Sequence, residues 1–189
     1  TPALAAYAMS RKLPGIMVTG SHIPADRNGV KFYKASGEVL KSDEASILAS
    51  VRATRAEVYC LDAEASPFGP DGQLKAEPAV PAVDETGARE YVARFVSPFK
   101  GAAPLAGLEV VLYQHSSVAR DLLQEILQNL GAEVIPEGRV ETFVPVDTED
   151  VMPEDEARYL DMVTRHGGYA LVSTDGDGDR PLIVDEAGH

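Results

Sequence analysis

Apolar residues along this chain recur with two periods, one near 3.6 and one near 2, and the alternation between them predicts its elements. Leu4, Tyr7 and Ala8, with Leu13 beyond them, share one helical stripe, and Pro2 suits a first helical turn. Gly15-Ile-Met-Val-Thr reads as a short buried strand, Val30-Lys-Phe-Tyr as an alternating one, and Lys41 to Arg55 as a helix with Ile47, Leu48 and Val51 turned inward. From about Ala63 to Glu85 the text turns to Pro, Gly and Ala without period, which predicts a loop or linker. Glu85 to Val96 resumes a helix carrying Tyr91, Val92 and Phe95, stopped by Ser97-Pro98.

A second series follows. Leu108-Glu-Val-Val-Leu-Tyr predicts a strand, with Ser117 as an N-cap for a helix from Ala119 to Leu130 that puts Leu122, Leu123, Ile126, Leu127 and Leu130 on one face, and Gly131 closes that helix. Glu133-Val-Ile-Pro is the next strand, and a helix around Glu154 to His166 precedes Tyr169-Ala-Leu-Val-Ser. The fold expected is α/β: two α/β units with mixed, mostly parallel sheets flanked by helices, truncated at both ends, with sites at the carboxyl ends of strands. The start, without an initiator Met and already in helical spacing, reads as an internal piece of a longer chain.

The chemistry concentrates in two loops. In Ser173-Thr-Asp-Gly-Asp-Gly-Asp-Arg180, Asp175, Asp177 and Asp179 repel one another and raise each other's pKa unless a hard cation neutralises them. An EF-hand spacing is met by these three with Glu186, but its sixth position holds Arg180 where that loop needs glycine, and strands rather than helices flank the stretch. A strand-end magnesium site accounts for the cluster better than a solvated acidic turn does. The other loop follows Gly15 to Thr19 and places Ser21 and His22 between Gly20 and Gly29. A serine so placed is a nucleophile, a phosphate carrier, or a turn residue bonding its own backbone. The hydrolase elbow is absent, because Thr19 stands where glycine is required. His115-Ser116-Ser117 with Asp121 also offers Ser, His and Asp, but helix capping and packing account for those residues.

Together, Thr19-Gly-Ser-His-Ile-Pro and the Asp175 to Arg180 loop resemble the α-D-phosphohexomutase family, the phosphomannomutases and phosphoglucomutases. The resemblance implies that Ser21 is phosphorylated and that Asp175, Asp177, Asp179 and the Ser21 phosphate bind Mg²⁺. Arg180 would support the phosphate, with His22 and Lys31 near the group transferred and Lys31 acting as acid or base. Ile23 replaces the family's usual Asn, which removes any amide contact there. The implied reaction interconverts hexose 1-phosphate and hexose 6-phosphate, of mannose or glucose, through a hexose 1,6-bisphosphate. Glucosamine phosphate is the nearest alternative substrate, and a non-catalytic metal-binding module the alternative of another class. Residues 1–96 would be part of the family's first domain and 97–189 most of its second. The sugar-selecting and phosphate-clamping domains would lie outside the chain, leaving this piece inactive alone.

Charge narrows the partners. A net charge of -13 excludes nucleic acid and acidic membrane surfaces, so any anionic ligand must be held locally. The single Cys60 forms no internal disulfide and, with no signal peptide visible, gives a cytoplasmic expectation. Oligomeric state is left open.

Overall fold

Strands and helices alternate in the computed structural model, which describes residues 1–189. Two units form, one from Thr1–Ser36 with Glu85–His189 and the other from Gly37–Asp84. In the larger unit α1 (Pro2–Ser10) leads to β1 (Gly15–Val18), which pairs antiparallel with β2 (Val30–Lys34) so that Met17 faces Lys31. Gly15 lies against Ala8 of α1, while Ile16 and Val18 are open at 59% and 63% exposure. The strand expected to be buried is therefore covered on one face only, because α1 lies on that side and no other element of the unit covers the opposite one.

The smaller unit holds β3 (Gly37–Glu38) and α2 (Glu44–Tyr59), followed by turns to Asp84. Helix α2 buries no residue: Leu48 and Val51, expected inward, are exposed and Ile47 is half-buried. The segment after it is dominated by Ala, Pro and Gly and offers few large apolar side chains against which such a stripe could pack.

The rest of the larger unit is a four-stranded sheet in the order β5-β4-β6-β7. Strands β4 (Glu109–Tyr113), β5 (Glu133–Glu137) and β6 (Ala170–Thr174) are parallel, and β7 (Pro181–Asp185) runs antiparallel at the edge beside β6. Helices α4 (Arg120–Asn129) and α5 (Pro153–His166) flank it, and α3 (Thr86–Val96) packs on α1 and α4. Central β4 is covered on both faces, hence its unbroken apolar run Val110 to Tyr113. One face packs Val111, Tyr113, Leu171, Leu182 and Val184 against Tyr159, Met162 and Val163 of α5. That helix begins with Pro153 and three acidic residues and ends with Arg165, His166 and Gly167 at φ 65°, so its charges oppose the macrodipole and its end turns left-handed. No helix is long and apolar enough to cross a membrane.

This topology positions the chemistry. Because β4 and β6 are parallel neighbours, the turns leaving their carboxyl ends, Gln114–Ala119 and Asp175–Arg180, lie side by side. Leu171→Ala, at a fully buried position, is expected to cost about 2–5 kcal/mol, whereas Leu48→Ala on α2 changes stability by no more than about 0.5 kcal/mol. Urea denaturation of the two variants checks the contrast.

Candidate active site

The serine loop is closed at its neck by reciprocal backbone bonds, Thr19 N–H to Gly29 O and Gly29 N–H to Thr19 O, both 2.9 Å. A Cβ on Gly29 would lie 3.0 Å from the Thr19 carbonyl, so the close approach requires glycine or a shift of that neck. Within the loop Ser21 adopts φ 54°, unusual for a residue with a side chain, and its N–H donates to Thr19 Oγ1 at 2.8 Å. This turn presents the Ser21 hydroxyl inward, where it donates to Asp175 Oδ2 at 2.6 Å. The two loops singled out in the sequence, 154 residues apart, thus meet through these side chains.

The aspartate loop is built around Asp175, which is fully buried. Its Oδ1 accepts the N–H groups of Gly178, Asp179 and Arg180 at 3.1, 3.2 and 3.3 Å, and its own N–H donates to the Arg180 carbonyl. Burial, reinforced by neighbouring Asp177, raises the Asp175 pKa. Asp177 is buried as well, and its Oδ2 accepts from Lys31 Nζ at 2.6 Å and from Thr1 Oγ1. Burial opposes its ionisation, but the Lys31 and Thr1 hydrogen bonds outweigh it and hold Asp177 well below the usual carboxylate range. Asp179 is partly exposed and shares the same ammonium at 2.7 Å. For Lys31 itself, burial favours the neutral amine, yet the bonds to both aspartates prevail and raise its pKa.

These residues fit a hard divalent cation. One oxygen from each of Asp175, Asp177 and Asp179 lies within 4.8 Å of the others, and Asp177 Oδ1 is buried with no hydrogen-bond partner. An ionised oxygen left without a donor in a buried place is a ligand atom short of its cation.

On the other side of Ser21 stand His22 and Arg180. His22 Nδ1 is 3.4 Å from Ser21 Oγ and accepts from Arg180 Nη1, while Arg180 Nε is 3.4 Å from Glu149 and Nη1 3.9 Å from Asp175 Oδ2. All the residues expected at the site, Ser21, His22, Lys31, Asp175, Asp177, Asp179 and Arg180, are brought together, Lys31 on the acidic side and His22 with Arg180 on the serine side. Ile23 packs against Gly20 and directs no polar group to the site.

Ser117 does not cap α4, as expected from sequence; the residue before that helix is Ala119, with no side-chain cap. The Ser117 hydroxyl instead shares a 2.8 Å bond with Thr174 Oγ1 and accepts the Ala119 N–H. Asp121 is paired with Arg139 at 2.6 Å on the surface, and His115 Nε2 donates to the Thr174 carbonyl at 2.8 Å, so no Ser-His-Asp relay forms. Sequence reasoning missed Thr1, whose hydroxyl donates to Asp177 Oδ2, and Glu149 beside Arg180. It also missed how tightly the loops are fitted. A Cβ on Gly176 would lie 2.6 Å from the Ser21 carbonyl oxygen and 3.2 Å from the Phe143 ring.

Fold and site together define an α/β protein whose strand-end acidic loop closes on a hydroxyl from a second loop. The chain belongs to the phosphoglucomutase/phosphomannomutase family: residues 89–188 match the model of that family's alpha/beta/alpha domain II, and residues 1–57 that of domain I. It is 41% identical to a phosphomannomutase of Salmonella muenchen over 189 residues and 41% identical to one of Sinorhizobium fredii over 188. All of this chain is covered in both, but only 35% and 37% of those proteins, so the chain spans about a third of their length. A crystal structure from Thermus thermophilus, described as a phosphomannomutase, shares the fold with a TM-score of 0.68 at 23% identity, covering 99% of this chain and 40% of that one.

The Lys31–Asp177 pair fixes a pH signature. The depressed Asp177 pKa gives stability that is complete above the unfolded carboxylate value near ~4 and lost as pH falls through the folded one. The raised Lys31 pKa gives stability that is complete below its unfolded value near ~10.4 and lost as pH rises through the folded one. Lys31→Met is therefore expected to destabilise the protein most between those limits, with the difference from wild type shrinking on both sides. Thermal midpoints measured from acid to alkaline pH read this directly.

Proposed function

We propose that this chain carries the phosphoserine and metal loops of a phosphohexomutase, an enzyme that moves a phosphoryl group between the 1- and 6-positions of a hexose. Residues 1–57 are assigned to the family's domain I and 89–188 to its domain II, which begins inside α3 and not after it. The observation that carries the reading is the 2.6 Å bond from Ser21 Oγ to Asp175 Oδ2, beside the partnerless Asp177 Oδ1. A phosphoryl group on Ser21 would bring its oxygens to the carboxylates, and Asp175, Asp177, Asp179 and that phosphate would hold Mg²⁺. When bound, the ion neutralises negative charge on the oxygens of the moving phosphoryl group.

The chain's own residues supply the rest. Phosphorylated Ser21 faces a sugar hydroxyl; as the hydroxyl oxygen forms its new bond to phosphorus, the bond to Ser21 Oγ breaks. Lys31, an ammonium against the aspartates, gives a proton to the departing Ser21 Oγ and takes in its place the one the sugar hydroxyl loses, so it is an ammonium again when the transfer is complete. Arg180, held beside Ser21 through its bond to His22, offsets the charge of the phosphate. The hexose 1,6-bisphosphate formed then returns its other phosphate to Ser21, whose hydroxyl gives up its proton along the reverse path. The substrate class is hexose monophosphate, with mannose phosphate favoured over glucosamine phosphate because the phosphomannomutase relatives are 41% identical to this chain and the phosphoglucosamine mutases 31–35%, and with glucose phosphate kept beside it by the family's description. A cytoplasmic setting is the reading kept, supported by the single Cys60 and the lack of any disulfide.

Ser21→Ala is expected to remove turnover in the protein carrying the family's full length, while lowering stability by about 1–3 kcal/mol, the cost of leaving the buried Asp175 Oδ2 without its donor. Treatment with glucose 1,6-bisphosphate should place a phosphate on Ser21, located by digestion and mass spectrometry. Phosphate found elsewhere, or a Ser21→Ala enzyme with near-normal turnover, overturns the proposal. The present chain alone is expected to convert no mannose 1-phosphate, because remote substrate contacts supply much of the orientation such a reaction needs.

A further inference from the structure

The turn after β4 is more than a connection. Residues Gln114 to Ala119 lie along the back of the aspartate loop and touch it at Thr174, Gly176 and Gly178. His115, fully buried, donates from Nε2 to the Thr174 carbonyl at 2.8 Å, and the Ser117 hydroxyl shares a 2.8 Å bond with Thr174 Oγ1. Thr174 Oγ1 in turn bonds the Asp175 carbonyl at 2.8 Å. The Val118 N–H donates to the Gly176 carbonyl at 3.0 Å, and a Cβ on Gly178 would strike the Ala119 Cβ at 2.7 Å. The grip therefore falls on alternate residues, Thr174, Gly176 and Gly178, which flank Asp175, Asp177 and Asp179 along the chain.

Two further observations separate this arrangement from ordinary packing. His115 has φ 31°, one of the few residues with a side chain at positive φ, and Ser21 is another. Strain of this kind persists where surrounding structure over-determines it, and here both strained residues border the same loop. The His115 ring is also used on one side only. A carbonyl accepts and never donates, so Nε2 carries the proton and Nδ1 is left a buried lone pair without a partner. A buried imidazole with an unpaired nitrogen is a poor choice for stability alone, since an apolar residue of similar size would avoid that loss.

We propose that His115 and Ser117 are positioning residues for the aspartate loop, acting through Thr174 to hold the three carboxylates at the separation a divalent cation requires. The inference rests on the metal reading of that loop. It assigns the His-Ser-Ser stretch a role in ligand geometry in place of the cap and packing roles expected from sequence. Hydrogen-bonding partners behind a metal's ligands fix their orientation, and their loss costs affinity while the ligands themselves remain.

Titration of the purified chain with Mn²⁺, read by calorimetry alongside the thermal midpoint of each variant, tests it. Ser117→Ala and His115→Leu are each expected to weaken Mn²⁺ binding about tenfold, whereas His115→Gln, which keeps an N–H for the Thr174 carbonyl, should retain most of the affinity. Should His115→Leu fail to fold, Ser117→Ala, which removes a single hydroxyl, carries the test. Unchanged affinity in Ser117→Ala, with or without a lowered thermal midpoint, overturns its positioning role. A His115→Gln loss equal to that of His115→Leu overturns the role of the His115 hydrogen bond. Asp177→Ala separates the two levels: if it abolishes binding while Ser117→Ala and His115→Leu leave it intact, this inference falls and the metal reading stands. If Asp177→Ala binds Mn²⁺ as wild type does, both fall.

Discussion

Like-charge repulsion inside one short loop is the constraint around which this structure is arranged. Asp175, Asp177 and Asp179 sit on alternating positions, and two of them are withdrawn from water almost completely. Separated from solvent, such carboxylates require compensation from every side, and the structure supplies it in kind. Backbone N–H groups of the loop itself converge on Asp175, a lysine from β2 spans Asp177 and Asp179, and a serine hydroxyl reaches across from another loop. The compensation is incomplete at one atom, Asp177 Oδ1, and that incompleteness distinguishes a site prepared for a ligand from a finished network. The sheet order follows from the same need. Only a loop at the carboxyl end of an inner strand, with parallel β4 beside it and β7 returning from it, can be enclosed this thoroughly.

Much of this was legible in the letters, for identifiable reasons. The alternation of apolar period gave β4, β5, β6 and α5 close to their observed limits, because a central parallel sheet demands continuous apolar strands and its helices need apolar stripes. The acidic loop was legible because its composition is unfavourable unless something answers it. The serine loop stood out through its two glycines, one of which forms the close neck with Thr19. What stayed hidden depended on three-dimensional neighbours. Leu48 and Val51 carry a helical stripe yet face solvent, since periodicity reports which residues share a face and not whether anything covers it. Ser117 satisfied the local rule for a cap, but Thr174, 57 residues away, was the partner that decided its role. The parallel pairing of β4 with β6 was the available signal for that partnership, since it sets their carboxyl ends side by side.

The electrostatic layout also explains how so acidic a chain can receive an anionic ligand. At -13 overall, the molecule repels phosphates at long range, and attraction has to be local. Arg180, bonded to His22, stands on one side of Ser21 and Lys31 on the other, so positive charge flanks the hydroxyl while the carboxylates lie beneath it. A cation held among those carboxylates would complete the change from a repulsive surface to an accepting pocket.

The contact between Gly176 and the Ser21 carbonyl sets a limit on how this chain can diverge. The obstruction to a larger residue at 176 is main chain, which no substitution at 21 can trim away, because every residue carries that carbonyl. Neutral drift by compensating pairs, the usual route through a packed interior, is closed at this position. The two loops are free to vary only by moving together as rigid pieces, so the spacing between them behaves as one inherited character rather than as two independently tunable sequences.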